Sequence, residues 1–210
     1  MILVILRMKV KQVLNCNISK GGRVQPACFI IQNMKPPERI ETSRLLLRVP
    51  TLADAPALFD EYTQSPEVTR YVMWRPHKDV DQTREFLNGC VEAWKGEKRF
   101  PYVIILKGTD GPMGMVDFNI NGSTVGIGYV IGRAHWDNGY VPEAARAIVD
   151  WALSQPSIYR VTATCDVDNV ASARVMEKVG MQREGVLRRY MLHPNVSDEP
   201  RDCYVYAIVR

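Results

Sequence analysis

Residues 128–145 read GYVIGRAHWDNGYVPEAA, and this stretch decides the fold because it joins a strand to a helix through a turn that contains glycine. The apolar residues before the turn predict a strand, and Pro142 suits the first turn of the helix. The first amides of a helix lack intrahelical partners, and the helix dipole favours an anion beside them. Gly139 would let such a ligand approach the backbone, so the turn is a candidate phosphate site. A plain tight connection would produce the same pattern.

Residues 166–181, DVDNVASARVMEKVGM, also follow a predicted strand and open a helix. Asn169 lies at the helix start, and Ser172 lies one turn further along on the same side. Gly180 stands where a left-handed helix cap is expected. Asn169 as a helix cap and Ser172 as a small helix residue are the structural alternatives to a binding role.

The rest of the chain predicts one series of elements without an internal repeat. Thr51 and Asp54 form a Thr-x-x-Asp capping box that opens a helix, and Asn121-Gly122 indicates a hairpin. The expected elements are a strand at 45–49, helices at 51–62 and 79–94, strands at 102–107, 113–120 and 125–131, a helix from the glycine turn to 154, a strand at 159–165, a helix at 169–179, and strands at 181–192 and 202–209. Their order is βααβββαβαββ.

Composition places the chain among ordinary globular proteins. It has 210 residues, of which 46% are hydrophobic and 24% charged, and its net charge is +4. The charges are scattered, so no basic arm or stripe favours nucleic acid as a partner. The five cysteines have neither CxxC spacing nor histidines in a zinc pattern, so we expect reduced thiols and no metal site.

The expected location is the cytoplasm. No apolar run approaches the roughly 18 residues of a membrane-spanning helix, and the first apolar run is followed, not preceded, by basic residues, unlike a signal peptide. We expect an N-terminal extension over residues 1–38 and one domain over 39–210. The extension is either an appendage without regular structure or the product of a start codon upstream of Met34.

Five groups of residues match one known family in the right order: Glu41-Thr42-Ser43-Arg44-Leu45-Leu46-Leu47-Arg48, Gly128-Tyr129, Trp136-x-x-Gly139-Tyr140-x-x-Glu143-Ala144, Asn169-x-x-Ser172-x-Arg174-Val175-Met176-Glu177-Lys178-x-Gly180-Met181, and Glu184-Gly185-Val186-Leu187-Arg188. From about Ile40 onward, the chain resembles the GNAT superfamily of N-acetyltransferases, and within it the RimJ/RimL-type ribosomal-protein branch. The resemblance implies an α+β fold (a three-layer α/β arrangement). Its central sheet is mixed, mostly antiparallel and flanked by helices, in the order given above.

The resemblance also implies acetyl-CoA as co-substrate. The residues it assigns to cofactor binding are Val130, Ile131, Gly132, Asn138, Gly139, Tyr140, Val141, Pro142, Glu143, Asn169, Ser172 and Arg174. The chain departs from the family at three of them. Asn138 replaces a common Lys, Arg or Gln, which removes one cationic contact to phosphate. Val141 replaces Ala or Gly, and Pro142 removes an amide donor.

Acetyl transfer needs a neutral amine, donors to the carbonyl oxygen and an acid for the leaving thiolate. We expect the amides of 130–132 to polarise the carbonyl. Many GNAT enzymes have a tyrosine acid where this chain has Met176, so Ser172 is the candidate acid. The base stays open among His193, His77, Glu184 and a water molecule. Of these, His193 has a suitable intrinsic pKa but also suits an ordinary surface loop.

Trp74 and His77 are expected to line an acceptor pocket, with loop anchoring as the alternative. Covalent catalysis by Cys165 or Cys203 is disfavoured, because neither has a histidine partner placed by the sequence.

The sequence therefore predicts an N-acetyltransferase that moves an acetyl group to a primary amine by direct attack in a ternary complex. The amine belongs to a protein N-terminus or a small molecule, and the enzyme is a monomer or homodimer. A non-catalytic CoA-binding protein is the alternative. Other nucleotide-binding enzymes are disfavoured because neither GxxxxGK[ST] nor a GxGxxG motif after a strand is present.

Overall fold

A computed structural model describes residues 34–97 and 99–210. The strands are β1 (Arg39–Glu41), β2 (Leu45–Arg48), β3 (Arg99–Leu106), β4 (Pro112–Asn121), β5 (Thr124–Ile131), β6 (Arg160–Asp166), β7 (Gln182–Met191) and β8 (Arg201–Val209). The helices are α1 (Ala55–Leu58), α2 (Val80–Lys95), α3 (Tyr140–Ser154) and α4 (Val170–Lys178). None of the helices in the described ranges is long and apolar enough to cross a membrane.

The eight strands form one mixed sheet in the order β1-β2-β3-β4-β5-β6-β8-β7. Only β5 and β6 run parallel to each other, and every other neighbouring pair is antiparallel. The parallel contact is short, since it pairs Thr124–Gly126 with Arg160–Thr162 and no residues beyond. The two strands therefore separate towards their C-terminal ends, and the sheet opens there.

Two apolar cores flank the sheet and confirm the predicted α+β class. The larger core joins the sheet to α3 and α4 through residues such as Ile148 and Met176. The smaller one packs α1 and α2 against β3 and β4, with Leu58 and Leu87 fully buried. Helices α1 and α2 therefore cover one part of the sheet, and the separated ends of β5 and β6 remain open to form a cleft.

The predicted order of elements is confirmed, with one strand missed. Strand β1 pairs with β2, although its three residues show no apolar alternation. The first predicted helix divides into a 3₁₀ turn at Leu52–Asp54, the short α1 and a π-helical turn at Phe59–Thr63. The capping box is present, because the Thr51 amide donates to Asp54 Oδ2 at 2.7 Å.

Residues 34–38 pack onto the domain. The Tyr102 hydroxyl donates to the Pro37 carbonyl at 2.7 Å, and the Met34 side chain contacts the larger core. Residues 1–33, the greater part of the predicted extension, lie outside the described residues.

Candidate functional site

The cleft between β5 and β6 is part of a groove of about 2420 Å³ that also includes the start of α3 and α4, residues of β4, and residues as distant as Met34 and Glu97. Pockets for drug-sized molecules are typically about 300–1,000 Å³, so the groove has room for a longer ligand. Gly126 and Gly128 lie on its β5 wall, and Thr162 and Thr164 lie on its β6 wall. Gly128 is exposed, and no atom would contact a Cβ placed on it, so no other part of the protein covers β5 at this point.

The free edge of β5 offers backbone groups to the cleft, but not from every residue expected. The Gly132 amide donates to the Met113 carbonyl at 2.8 Å, which corrects its assignment as a carbonyl polariser. Backbone direction alternates along an antiparallel strand, so the Val130 amide also faces β4. The Ile131 amide faces the open side, where the Ile131 carbonyl accepts from Trp136 Nε1 at 3.0 Å. Among residues 130–132, Ile131 is therefore the one whose amide the strand presents to a ligand.

The turn before α3 has the geometry of an anion site. Gly139 adopts φ 75° and ψ 12°, the left-handed conformation that favours glycine. Within the described residues, the amides of Asn138, Gly139, Tyr140 and Val141 donate no hydrogen bond. These amides sit at the positive end of a 15-residue helix, so they suit a phosphate group.

The last two residues of the turn have other roles. Pro142 lines the cleft but has no amide hydrogen. The Glu143 amide donates to the Gly139 carbonyl at 3.2 Å, so it is the first donor of the helix and is not free for a ligand.

The Glu143 side chain is held by the segment that precedes β2. Its Oε1 accepts from Thr42 Oγ1 at 2.5 Å, Ser43 Oγ at 3.0 Å and the Arg44 amide at 2.9 Å, while Arg44 Nε donates to Oε2 at 2.7 Å. Burial alone would raise the pKa of Glu143, but these donors lower it to about 2. Two motifs about one hundred residues apart thus meet at the turn, a contact that the sequence did not reveal.

The start of α4 brings the candidate acid beside a tyrosine. Asn169 Oδ1 caps the helix by accepting from the Ser172 amide at 3.2 Å, which confirms the helix-cap interpretation. The Ser172 hydroxyl lies 2.9 Å from the Tyr129 hydroxyl, which also donates to the Ser172 carbonyl at 3.0 Å. Either hydroxyl can be the donor in the contact between the two side chains. Sequence reasoning missed Tyr129 as a site side chain, because its partner lies 43 residues away.

The thiols of Cys165 and Cys203 are buried, and Cys203 Sγ lies 3.8 Å from His193 Nε2, a histidine neighbour that the sequence did not place. Burial raises the pKa of Cys165 to about 12 and that of Cys203 to about 11, so both stay protonated near neutral pH. Arg174 lies further along α4, exposed, and also lines the cleft.

The far end of the cleft is built from two loops, residues 64–79 and 192–200. Asn195 Nδ2 joins them by donating to the carbonyls of Thr69 and Trp74, each at 2.7 Å. Trp74 lines the cleft as expected, but His77 is not among the lining residues. His77 packs on the Trp74 ring at 4.8 Å, and its Nδ1 lies 2.8 Å from Thr83 Oγ1. His77 therefore supports the wall of the pocket from behind.

His193 is the candidate base that the structure places at the cleft. It lines the cleft, although it is only 2% exposed. Its buried Nδ1 meets no acceptor within hydrogen-bond geometry in the described residues, but the backbone of Tyr71 and Val72 lies close enough to act on the ring and to raise its pKa. Its Nε2 lies 3.8 Å from Asp166 Oδ2, and Arg201 Nε donates to the same oxygen at 2.5 Å. Burial lowers the pKa of His193, so the ring is neutral near pH 7. Glu184 instead pairs with Arg160 and does not line the cleft.

Comparison with known proteins agrees with this geometry. The model of the acetyltransferase (GNAT) domain matches residues 44–182. An uncharacterized N-acetyltransferase, p20 of Bacillus licheniformis, is 33% identical over 176 residues, which cover 82% of this chain and 97% of that protein. A GNAT-family acetyltransferase structure from Bacillus anthracis has a TM-score of 0.71 and 32% identity, covering 81% of this chain and 98% of that one.

Mycobacterium smegmatis RimJ, solved in complex with CoA-disulfide, has a TM-score of 0.69. Its identity of 22%, over 79% of this chain and 81% of that one, is evidence of a shared fold only. The family model and the Bacillus relatives establish the wider family. The chain therefore belongs to the GNAT acetyltransferases and is an N-acetyltransferase.

Proposed function

We propose that the cleft binds acetyl-CoA with its diphosphate on the turn that begins α3 (residues 138–143, the α3 turn) and its pantetheine arm along the free edge of β5. The free amides of Gly139, Tyr140 and Val141 support the first part, because they lie at a helix N-terminus and lack protein acceptors. The short β5–β6 contact supports the second, because the unpaired strand edge needs hydrogen-bond partners. The observation that carries the proposal is this continuous path from α3 to the open edge.

The thioester carbonyl then lies at the end of β5, beside the Ile131 amide. That amide stabilises the negative charge that develops on the carbonyl oxygen during attack. The acceptor amine nitrogen forms a bond to the carbonyl carbon, and the carbon–sulfur bond breaks. Ser172 gives its hydroxyl proton to the leaving thiolate, and the Tyr129 hydroxyl, 2.9 Å away, can donate a hydrogen bond to the Ser172 oxygen that remains. Solvent in the open cleft then restores the Ser172 proton, and Tyr129 keeps its own, because burial raises its pKa.

The amine must lose a proton, and His193 is the base we propose. Its neutral ring lines the cleft, and Asp166 lies close enough to Nε2 to stabilise the imidazolium that forms. Because the ring is 2% exposed, proton transfer proceeds through a water molecule in the cleft. Direct contact between His193 and the acceptor is not required.

The acceptor we propose is a primary amine of a protein N-terminus or a small molecule. It enters between the two loops that Asn195 joins, and the Trp74 ring forms one wall of its path. An aromatic wall suits the apolar part of an amine or the first side chain of a peptide.

The test is release of free thiol from acetyl-CoA, measured with a panel of amines and N-terminal peptides. We expect release that depends on one class of amine, together with CoA binding in calorimetry. Ser172→Ala should bind CoA like the wild type and turn over more slowly. CoA binding by the wild type without thiol release under any acceptor would contradict the catalytic assignment, and no binding would contradict the site.

A further inference from the structure

Acetyl-CoA carries a third phosphate, on the 3′ carbon of the ribose that follows its diphosphate. A phosphate monoester has about two negative charges at neutral pH. The α3 turn supplies amides for the diphosphate, but residues 138–143, NGYVPE, include no basic side chain. A cation that binds the 3′-phosphate therefore has to come from another part of the groove.

The basic side chains that line the groove differ in whether they are free to bind a ligand. Within the described residues, the lysines and arginines on its walls are Lys35, Arg70, Arg99, Arg174 and Lys178. Lys35 and Arg99 are neutralised by ion pairs with acidic residues, and Arg70 stacks on Tyr71 at the far end of the cleft. Arg174 and Lys178 are exposed and form no ion pair or hydrogen bond with any other described residue. They are therefore the free cations of this groove.

These two residues, the basic pair, lie on one side of α4. They are four positions apart, which is about one helical turn. Met176, between them in sequence, is instead buried in the larger core. The acidic neighbour Glu177 is turned towards β8, where it accepts from the Tyr206 hydroxyl at 3.1 Å. The basic pair thus stands at the rim of the groove, away from the core and from this carboxylate.

Helices α3 and α4 run side by side in the same direction. Helix α3 joins the end of β5 to the start of β6, and α4 joins the end of β6 to the start of β7. Strand β6 is parallel to β5, and β7 has the same direction as β6 because both pair antiparallel with β8. Both helices therefore begin at the open end of the sheet and lead away from it.

One contact sets the level of the basic pair relative to the α3 turn. Arg146 on α3 lies beside Gly180, since its Nη2 would be 3.2 Å from a Cβ placed on that glycine. Tyr140 and Arg174 precede these two residues by six positions each. Because the rise per residue is the same in both helices, Arg174 lies at about the level of the first turn of α3. Lys178 lies about one turn further along the same rim.

We propose that Arg174 and Lys178 bind the 3′-phosphate of CoA and so make the enzyme prefer CoA to its 3′-dephospho form. With the diphosphate on the α3 turn, the ribose lies next to the gap between α3 and α4, within reach of the basic pair. The resemblance assigns Arg174 to the cofactor without naming the group that it contacts, and it does not include Lys178. This inference deepens the proposed function and rests on it, because it needs CoA in the groove.

The experiment is calorimetric titration of the wild type and of the Arg174→Met/Lys178→Met double variant with CoA and with 3′-dephospho-CoA. Exposed ion pairs are individually weak, so the two together should give the wild type a preference for CoA of roughly tenfold in Kd at low salt. The double variant should bind both ligands as the wild type binds 3′-dephospho-CoA. KCl should reduce the preference of the wild type, because exposed charges are screened.

Matched variants separate charge from other effects of substitution. Arg174→Lys combined with Lys178→Arg keeps both charges and should keep most of the preference. The single variants Arg174→Met and Lys178→Met should each lose part of it. Lys95→Met removes an exposed lysine on α2 that pairs with Glu92, and it should leave both Kd values unchanged. Circular dichroism of each variant identifies any loss of fold.

The ratio of the two Kd values distinguishes phosphate recognition from a structural effect. A structural role for the basic pair would weaken both ligands by the same factor and leave the ratio unchanged. A wild type that binds the two ligands within about twofold, or a folded double variant that keeps the wild-type ratio, overturns the inference and leaves the proposed CoA site standing. No binding of either ligand by the wild type overturns both proposals. If the double variant does not fold, the single variants decide, and an unchanged ratio in both overturns the assignment.

Discussion

Replacement of Gly139 separates backbone strain from charge at the phosphate turn. Gly139 has φ 75°, and a Cβ there would meet its nearest atom, Arg44 Nη2, at 3.6 Å, which is an ordinary contact. Gly139→Ala therefore has space, and its cost is the left-handed conformation, about 1–2 kcal/mol. If the whole of that free-energy cost fell on the CoA-bound conformation, CoA affinity would fall by roughly five- to thirtyfold.

Gly139→Glu adds a carboxylate to the same strain. A unit charge about 5 Å from a phosphate charge costs roughly 3 kcal/mol at an effective dielectric constant of about 20. That repulsion corresponds to a further loss of about one-hundredfold or more, so calorimetry should detect little CoA binding by Gly139→Glu. The side chain would also compete for Arg44, which lies at the point where its Cβ starts.

The assay is calorimetric titration of both variants with CoA, beside urea unfolding to measure stability. We expect similar unfolding free energies for the two variants, because they share the backbone strain, and very different CoA affinities. A Gly139→Glu protein that binds CoA within about threefold of Gly139→Ala would refute the placement of phosphate on this turn.

Three other substitutions test the remaining parts of the site. Ser172→Ala should keep the CoA affinity and lower kcat by about a hundredfold or more, as steady-state kinetics would measure, whereas an unchanged kcat would exclude Ser172 as the acid. Glu143→Gln should change how the free energy of unfolding depends on pH. The pKa of Glu143 is lowered to about 2, so its stabilising contribution is present above its ordinary pKa of 4.5 and is lost as the pH falls towards 2. The stability difference between wild type and Glu143→Gln in urea unfolding should therefore shrink over that range, and a constant difference would contradict it. Burial lowers the pKa of His193, so in the wild type the fall in kcat/KM that accompanies protonation of this base should occur only below the ordinary histidine value of 6.5. His193→Gln should remove that fall. Identical pH profiles would exclude His193.

Local patterns were sufficient to predict most of the fold. Helix α2 was predicted at 79–94, and the structure buries Leu87, Cys90 and Trp94 on one face at the spacing of an amphipathic helix. Gly180 has φ 88°, as its position after α4 required. Strand β1 was missed because a three-residue edge strand needs only backbone pairing, which leaves no apolar period. The change from α1 to a π-helical turn was missed for a different reason, because α-helices and π-helices have nearly the same spacing of apolar residues.

The candidate site was only partly predictable. The glycine turn and Ser172 could be proposed as site residues because each has a local signal, a glycine before a helix or a polar residue near a helix start. The contacts of Arg44 with Glu143, and of Tyr129 with Ser172, join distant segments, so no local pattern contains them. The direction of the Gly132 amide depends on its register with β4, which the sequence of β5 alone does not fix.

The most direct test of the account is thiol release from acetyl-CoA by the wild-type protein and by Ser172→Ala, with matched amines and N-terminal peptides. We predict amine-dependent release by the wild type and much slower release by the variant, with equal CoA affinity for both proteins. Equal rates of amine-dependent release would exclude Ser172 as the acid, and release that is independent of every amine would contradict the proposed acetyl transfer in this cleft.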